Sequence, residues 1–98
     1  MIVLFVAHLG QIVATPGALV ALAAADTSPS TLLSRHAAGD WGDLDAHDRT
    51  ANDDALRDGS HLLSAYTVAQ GVTVWIITEA ADEDGHRAAT TLLLPEEY

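Results

Sequence analysis

The hydrophobic pattern of the chain changes its period at His61, and this change constrains the fold more than any other feature. Over residues 15–59, apolar residues recur at helical spacing between helix start and stop signals. From His61 onward the period is two, and residues 61–68, 72–78 and 87–94 are predicted to form three strands. Helices followed by strands along one chain are typical of the α+β class.

Two pairs, each a Thr or Ser followed by Pro, predict where the first two helices begin. Thr15-Pro16 and Ser28-Pro29 each place a capping hydroxyl before a proline at the first helical position. The first helix is predicted to run to about Ala25, and Gly39 is predicted to stop the second.

A third helix is predicted over about Leu44–Asp58, between an aspartate cap and a glycine stop. We expect Asp43 to be its N-cap and Gly59 to take the left-handed conformation after its last turn. Its apolar stripe is thin and consists of Leu44, Ala51, Ala55 and Leu56. One side of this helix is therefore predicted to rest on the core, while the rest faces water or a partner.

The strands complete the predicted fold. Two apolar runs near the N-terminus, Ile2–Val6 and Gln11–Ala14, predict one bent strand or two short ones. Ala69–Gly71 predicts a tight turn, and Val72–Thr78, which is apolar on both faces, is predicted at the centre of the sheet. Residues 1–98 are thus predicted to form a single α+β domain, with an N-terminal strand, three short helices and a C-terminal three-stranded antiparallel meander.

Acidic residues dominate the charge of the chain. The formal charge is −10, with four Arg and no Lys, and this field repels nucleic acid and membrane surfaces and attracts basic ones. Half of the 14 acids lie in one segment: Asp40, Asp43, Asp45, Asp48, Asp53, Asp54 and Asp58. The predicted partner is a protein with a basic surface, without direct nucleic-acid binding, although adaptation to salt alone would also explain the acidity.

Trp41 is the aromatic residue of the acidic segment, and two roles are open for it. It lies between two Gly-Asp pairs, so it either fills the core from the loop side or anchors a partner inside an acidic rim. The predicted partner-binding set is Asp40, Trp41, Asp43, Asp45, Asp48, Asp53 and Asp54.

A metal site can be drawn at the end of the second helix. His36, Asp40 and Asp43 have His-x3-Asp-x2-Asp spacing, but this matches neither the calcium loop of an EF-hand nor a zinc signature. The chain has no Cys and therefore no thiolate ligands. The favoured interpretation is that His36 packs at the helix end and the aspartates cap the next helix, so no metal and no cofactor are predicted.

A small metal-free nuclease is the enzymatic alternative. Glu79, paired with His61 or His86, would supply a general acid and base, and Arg87 would help to hold the phosphate. A strongly acidic chain is poorly suited to a polyanionic substrate. No catalytic residue is therefore predicted.

The N-terminal 25 residues carry almost no charge, so a leader or a membrane span has to be considered. No Lys or Arg precedes the apolar run, and Gly10 and Pro16 interrupt it well short of the roughly 20 apolar residues that a span needs. A buried strand followed by a buried helix is the preferred interpretation, and the predicted location is cytoplasmic.

Several stretches of the chain resemble one family. They are Gly10–Leu19, Gly39–Gly42 with the sequence onward to Tyr66, Trp75–Glu79 and Thr90–Tyr98. Together they are similar to short uncharacterised bacterial proteins associated with plasmids and other mobile elements of proteobacteria. Members are often labelled plasmid-related protein or type I restriction enzyme subunit. A methyltransferase subunit needs a much larger cofactor domain with a glycine-rich loop, which this chain lacks.

The resemblance implies no activity, and the loop Ala81–His86 is longer here than in that family. Combined with the acidic charge, it implies a non-enzymatic binding protein of mobile-element type. Such a protein would block a basic nucleic-acid-binding surface of a host defence protein, as antirestriction and anti-CRISPR inhibitors do. The alternatives are a nuclease or toxin-like domain and a salt-adapted structural module.

Overall fold

The computed structural model describes residues 9–98, which contain four strands, three α-helices and one 3₁₀ helix. In chain order these are β1 (Gln11–Ala14), α1 (Pro16–Ala24), α2 (Pro29–Ala37), α3 (Ala46–Asp58), β2 (Leu62–Ala69), β3 (Val72–Thr78), β4 (Ala89–Leu93) and the 3₁₀ helix (Pro95–Glu97). The predicted run Ile2–Val6 lies outside the described residues.

The sheet is mixed and four-stranded, so the predicted three-stranded antiparallel meander is wrong. Its strand order is β1-β4-β3-β2. The two pairs that involve β3 are antiparallel, whereas β1 lies parallel to β4 with Gln11 beside Ala89 and Ala14 beside Leu92. Strand β4 pairs with β3 along one edge only. Because the backbone groups on its other edge and those of β1 both need hydrogen-bond partners, β1 pairs with β4. The central position predicted for Val72–Thr78 is confirmed.

The starts of α1 and α2 follow the predicted caps. The hydroxyl of Thr15 accepts a hydrogen bond from the Ala18 N–H, and that of Ser28 accepts one from the Ser30 N–H. No helix in residues 9–98 is long and apolar enough to span a bilayer.

Helix α3 begins two residues later than predicted because a different aspartate caps it. Asp45 accepts the N–H of Asp48, whereas Asp43, the predicted cap, is hydrogen-bonded to β2. Gly59 ends the helix with φ of 84°, as predicted.

The core lies between one face of the sheet and the first two helices. Alternate residues of each strand point to this face and meet the buried sides of α1 and α2. The main cluster consists of Ala18, Leu22, Leu32, Tyr66, Val74, Ile76 and Leu92. A second cluster, formed by Trp41, Ala55 and Leu62, joins α3 to the start of β2.

Candidate functional site

The acidic segment lies along the outer edge of β2, and α3 covers the first part of that edge. Asn52, on the inner side of α3, accepts the N–H of Leu63 at 3.1 Å and donates to the Leu63 carbonyl at 2.6 Å. The buried amide therefore acts as a short substitute for a neighbouring strand. The predicted stripe of α3 contained only apolar residues and missed Asn52.

The loop before α3 covers the next part of the edge. Ala65 donates its N–H to the Trp41 carbonyl at 3.2 Å and accepts the N–H of Asp43 at 2.7 Å. Gly42 makes this close approach possible, because its φ is 76° and an added Cβ would lie 2.1 Å from the Ala65 oxygen. The loop is therefore held against β2 by backbone contacts.

The Asp43 carboxylate covers the third position of the edge. It accepts the N–H of Thr67 at 2.8 Å, and this hydrogen bond lowers the pKa of Asp43. Asn52, the 41–43 backbone and the Asp43 side chain together satisfy both outward-facing backbone groups of Leu63 and Ala65 and the N–H of Thr67. Part of the acidic segment thus protects an edge strand from pairing with other chains.

Asp40 is fixed by the end of α2. Its carboxylate accepts Nε of Arg35 at 2.6 Å and Nη2 at 3.3 Å, and these contacts lower the pKa of Asp40. The same guanidinium stacks over the Tyr66 ring at 4.5 Å, and the Tyr66 hydroxyl donates to the Asp40 carbonyl at 2.6 Å.

Trp41 fills the core, which was one of the two roles predicted for it. Its side chain is 4% exposed and packs with Ala55 and Leu62. Its Nε1–H donates to the Asp53 carboxylate at 3.0 Å. The indole is therefore not presented to a partner, and Asp53 is committed to holding it.

The remaining acids of the segment differ in how they are held. Asp45 caps α3, and Asp54 forms an exposed ion pair with Arg57 that contributes little stability. Asp48 has no side-chain hydrogen bond or ion pair within residues 9–98. The seven clustered acids therefore divide into four that hold the fold, namely Asp40, Asp43, Asp45 and Asp53, and three exposed ones. We call Asp48, Asp54 and Asp58 open, because within the described part of the chain Asp54 bonds only to Arg57 three residues on and Asp58 accepts only the N–H of Ser60.

The three open acids, Asp48, Asp54 and Asp58, line a groove of about 400 Å³ between α3 and the start of β2. Leu44 and Leu63 are apolar members of its lining. We call this depression the acidic groove. Asp58 was not in the predicted partner-binding set, although its helical spacing from Asp48 and Asp54 places all three on one side of α3.

The acidic groove suits a cationic side chain with an aliphatic stem. Lysine and arginine bury their methylene groups on apolar surface while the charged head seeks carboxylates. Hydrogen bonds from Ser60 lower the pKa of Asp58, so its carboxylate stays ionised at neutral pH. Bidentate pairing with a carboxylate favours arginine over lysine.

The three residues whose spacing suggested a metal site, His36, Asp40 and Asp43, are not brought together. His36 is fully buried, with Nδ1 2.5 Å from the Ser64 hydroxyl and Nε2 2.8 Å from the Thr78 hydroxyl. Asp40 and Asp43 are bonded to Arg35 and Thr67 instead. Asp82, Asp84 and His86 do cluster in the exposed loop before β4, but the Asp82 carboxylate there accepts the loop's own N–H groups.

The hydrogen bonds around His36 have one consistent direction. Thr90 donates its hydroxyl proton to the Leu9 carbonyl at 2.6 Å, so it accepts from Thr78, 2.7 Å away. Thr78 must then accept from Nε2–H of His36, and Nδ1 accepts from Ser64. The imidazole is neutral in this arrangement, and burial, reinforced by the positive charge of Arg87, lowers its pKa to about 4.

The nuclease alternative loses Arg87, the cation that was predicted to help hold its phosphate. Arg87 is buried, and its guanidinium donates to the carbonyl oxygens of Ser60, Glu79 and Ala55 at 2.7–3.0 Å. It ties the end of α3 to the end of β3 and is not free to hold a phosphate. Glu79 and His61 are both exposed.

A larger depression of about 730 Å³ lies beside α1, between that helix and the turn from β2 to β3. Its lining is mostly apolar, and Glu96 is the one ionisable residue in it. It therefore lacks the convergent polar groups of a catalytic site.

Comparison of the chain with protein-family models, curated proteins and solved structures finds no match. The resemblance to plasmid-associated proteins stays a prediction.

Proposed function

We propose that the protein is a non-enzymatic binding protein that holds a basic segment of another protein in the acidic groove. The observation that carries this proposal is the division of the clustered acids, because three open carboxylates line a partly apolar groove after four others have been used by the fold. The formal charge of −10 favours the same kind of partner by attracting basic surfaces over a distance.

The proposed target is a basic surface that normally binds nucleic acid. Carboxylates on one side of α3 would take the place of phosphates against lysine and arginine, so the protein would act as a competitive inhibitor. The specific target that we propose is a host defence protein of the kind that antirestriction and anti-CRISPR inhibitors block. Such targets act in the cytoplasm, and we propose that location for this protein.

Charge reversal within the groove tests the proposal. Asp48→Lys with Asp54→Lys changes two open acids, whereas Asp45 and Asp53 are unsuitable because they cap α3 and hold Trp41. A matched control, Glu83→Lys with Asp84→Lys, makes the same change of charge in the exposed loop before β4.

The assay is capture of proteins from bacterial lysate, followed by affinity measurement on the isolated partner. We expect the groove variant to lose at least tenfold in affinity and the loop control to retain most of it. Nucleic acid should compete for the partner with the wild type. Equal loss in both variants would show that only net charge matters, and unchanged binding by the groove variant would refute the proposal.

A further inference from the structure

Exposed apolar side chains are concentrated in one short segment of the described chain. Of the five large hydrophobic residues exposed there, four lie in β1 and α1: Ile12 at 46%, Val13 at 43%, Leu19 at 47% and Val20 at 69%. Residues 9–25 contain no charged side chain. We call the exposed surface of β1 and α1 the neutral face.

Within the part of the chain that the structure describes, nothing covers the outer edge of β1. Gln11 and Thr15 direct their N–H groups to β4, so the alternating backbone groups of Ile12 and Ala14 point away from it. Within residues 9–98, β1 pairs only with β4. The opposite edge, β2, is covered at three successive positions, whereas β1 carries no lysine, proline or bulge that would discourage pairing.

The charge distribution identifies a partner that fits this face. A basic protein is attracted to the acidic groove and gains nothing from an uncharged surface. A second copy of the chain carries the same −10 and is repelled by the acidic side. It can approach most closely at the neutral face, which contains no charged residue of its own, although the Glu97 carboxylate borders that face by accepting the Thr15 hydroxyl at 2.7 Å.

Contacts with β4 and the interior fix the position of Leu9, just before β1. The Leu9 carbonyl accepts the Thr90 hydroxyl, and the Leu9 side chain packs against the cluster of Trp41 and Leu62. Leu9 therefore lies away from the free edge of β1.

We propose that two copies pair antiparallel through β1 and form a homodimer with one continuous eight-stranded sheet. Ile12 of each copy would exchange both backbone hydrogen bonds with Ala14 of the other. Val13 would then face its own counterpart across the two-fold axis, as a symmetric interface requires. The exposed side chains of the neutral face would add apolar contact.

A cysteine at Val13 tests this register. The chain has no Cys, and directly opposed residues in a non-hydrogen-bonded antiparallel pair have Cα atoms about 4.5 Å apart, which a disulfide can bridge. Val13→Cys should therefore form a covalent dimer on mild oxidation at least tenfold faster than Gln70→Cys, an exposed control in the turn between β2 and β3.

Two further measurements complete the test. The wild type should sediment as a dimer, and Ile12→Pro should shift it to monomer without unfolding, because the lost N–H points away from β4. Circular dichroism verifies that each variant is folded. A wild type that stays monomeric at all concentrations, or equal oxidation rates for the two cysteine variants, would overturn the proposal. A monomer whose Val13→Cys thiol is shielded from alkylation would assign the edge to Met1–His8 and also overturn it.

Discussion

At the scale of single residues, polar side chains in the interior decide how the acidic segment is used. His36, Asn52 and Arg87 are all buried, and each is hydrogen-bonded to groups on other elements. No buried side-chain nitrogen or oxygen in the described residues lacks a partner. These residues bind α2, α3 and the strands together, which leaves surface acids free to interact with other molecules.

The neutral state of His36 predicts loss of stability in mild acid. Its pKa is lowered from 6.5 to about 4 in the folded protein, so between these values the unfolded chain binds the proton more readily. Stability is therefore full above about pH 6.5 and falls as the pH drops towards 4. The shift corresponds to about 3 kcal/mol.

Urea unfolding at several pH values between 7 and 4.5 measures this effect. His36→Gln keeps a donor and an acceptor but does not titrate. The free energy of unfolding of this variant should therefore lose most of its pH dependence in this range. Asp40 and Asp43 contribute at lower pH, because their lowered pKa values lie below this window. An identical pH profile for the variant and the wild type would contradict the assignment.

At the scale of elements, α3 and the loop before it are a cover for an edge strand. Their sequence is acidic and weakly apolar, yet their backbone and polar side chains supply what β2 lacks. The cover explains why a helix with a thin apolar stripe is stable on this sheet.

Replacing Asn52 should lower the free energy of unfolding, because Asn52 is part of this cover. Asn52→Leu removes both hydrogen bonds to Leu63 and leaves that N–H and carbonyl without partners, at a cost of about 2–4 kcal/mol in the free energy of unfolding. His47→Leu, on the exposed side of the same helix, should change it by less than about 0.5 kcal/mol. Chemical denaturation measures both, and equal effects of the two substitutions would contradict the proposed cover.

The elements differ in how far the sequence alone could predict them. Local signals located all three helices, because Thr15, Ser28 and Gly59 cap or stop the chain through contacts within a few residues. The parallel pairing of β1 with β4 joins residues about 78 positions apart and leaves no local signal. Asp43 was predicted to cap α3, but Asp45 caps it, because Asp43 is bonded to Thr67 of β2 and only the tertiary fold reveals that contact.

The candidate site shows the same limit. Helical spacing could have grouped Asp58 with Asp48 and Asp54, but the sequence could not reveal that Asp53 is occupied by Trp41 or Asp43 by Thr67. Those bonds depend on how the loop lies on β2, which is a property of the tertiary fold.

At the scale of the whole molecule, charge is distributed unevenly between two sides. Clustered carboxylates repel one another, and salt shortens the range of this repulsion from about 10 Å at 0.1 M to about 3 Å at 1 M. The melting temperature should therefore rise with NaCl, as calorimetry can measure. The Asp48→Lys, Asp54→Lys variant carries less negative charge and should show a smaller rise. A flat or falling curve in the wild type would mean that the acids are already compensated within the fold.

We propose that the acidic groove, and not acidity in general, selects a basic partner. Nuclear magnetic resonance of the labelled protein during titration with a short peptide of alternating arginine and glycine tests it most directly. We expect saturable shifts of the amide signals in residues 44–63, with little change at the equally acidic loop 82–86, and loss of the shifts in the Asp48→Lys, Asp54→Lys variant. Shifts of similar size in both regions, or none in residues 44–63, would contradict the claim.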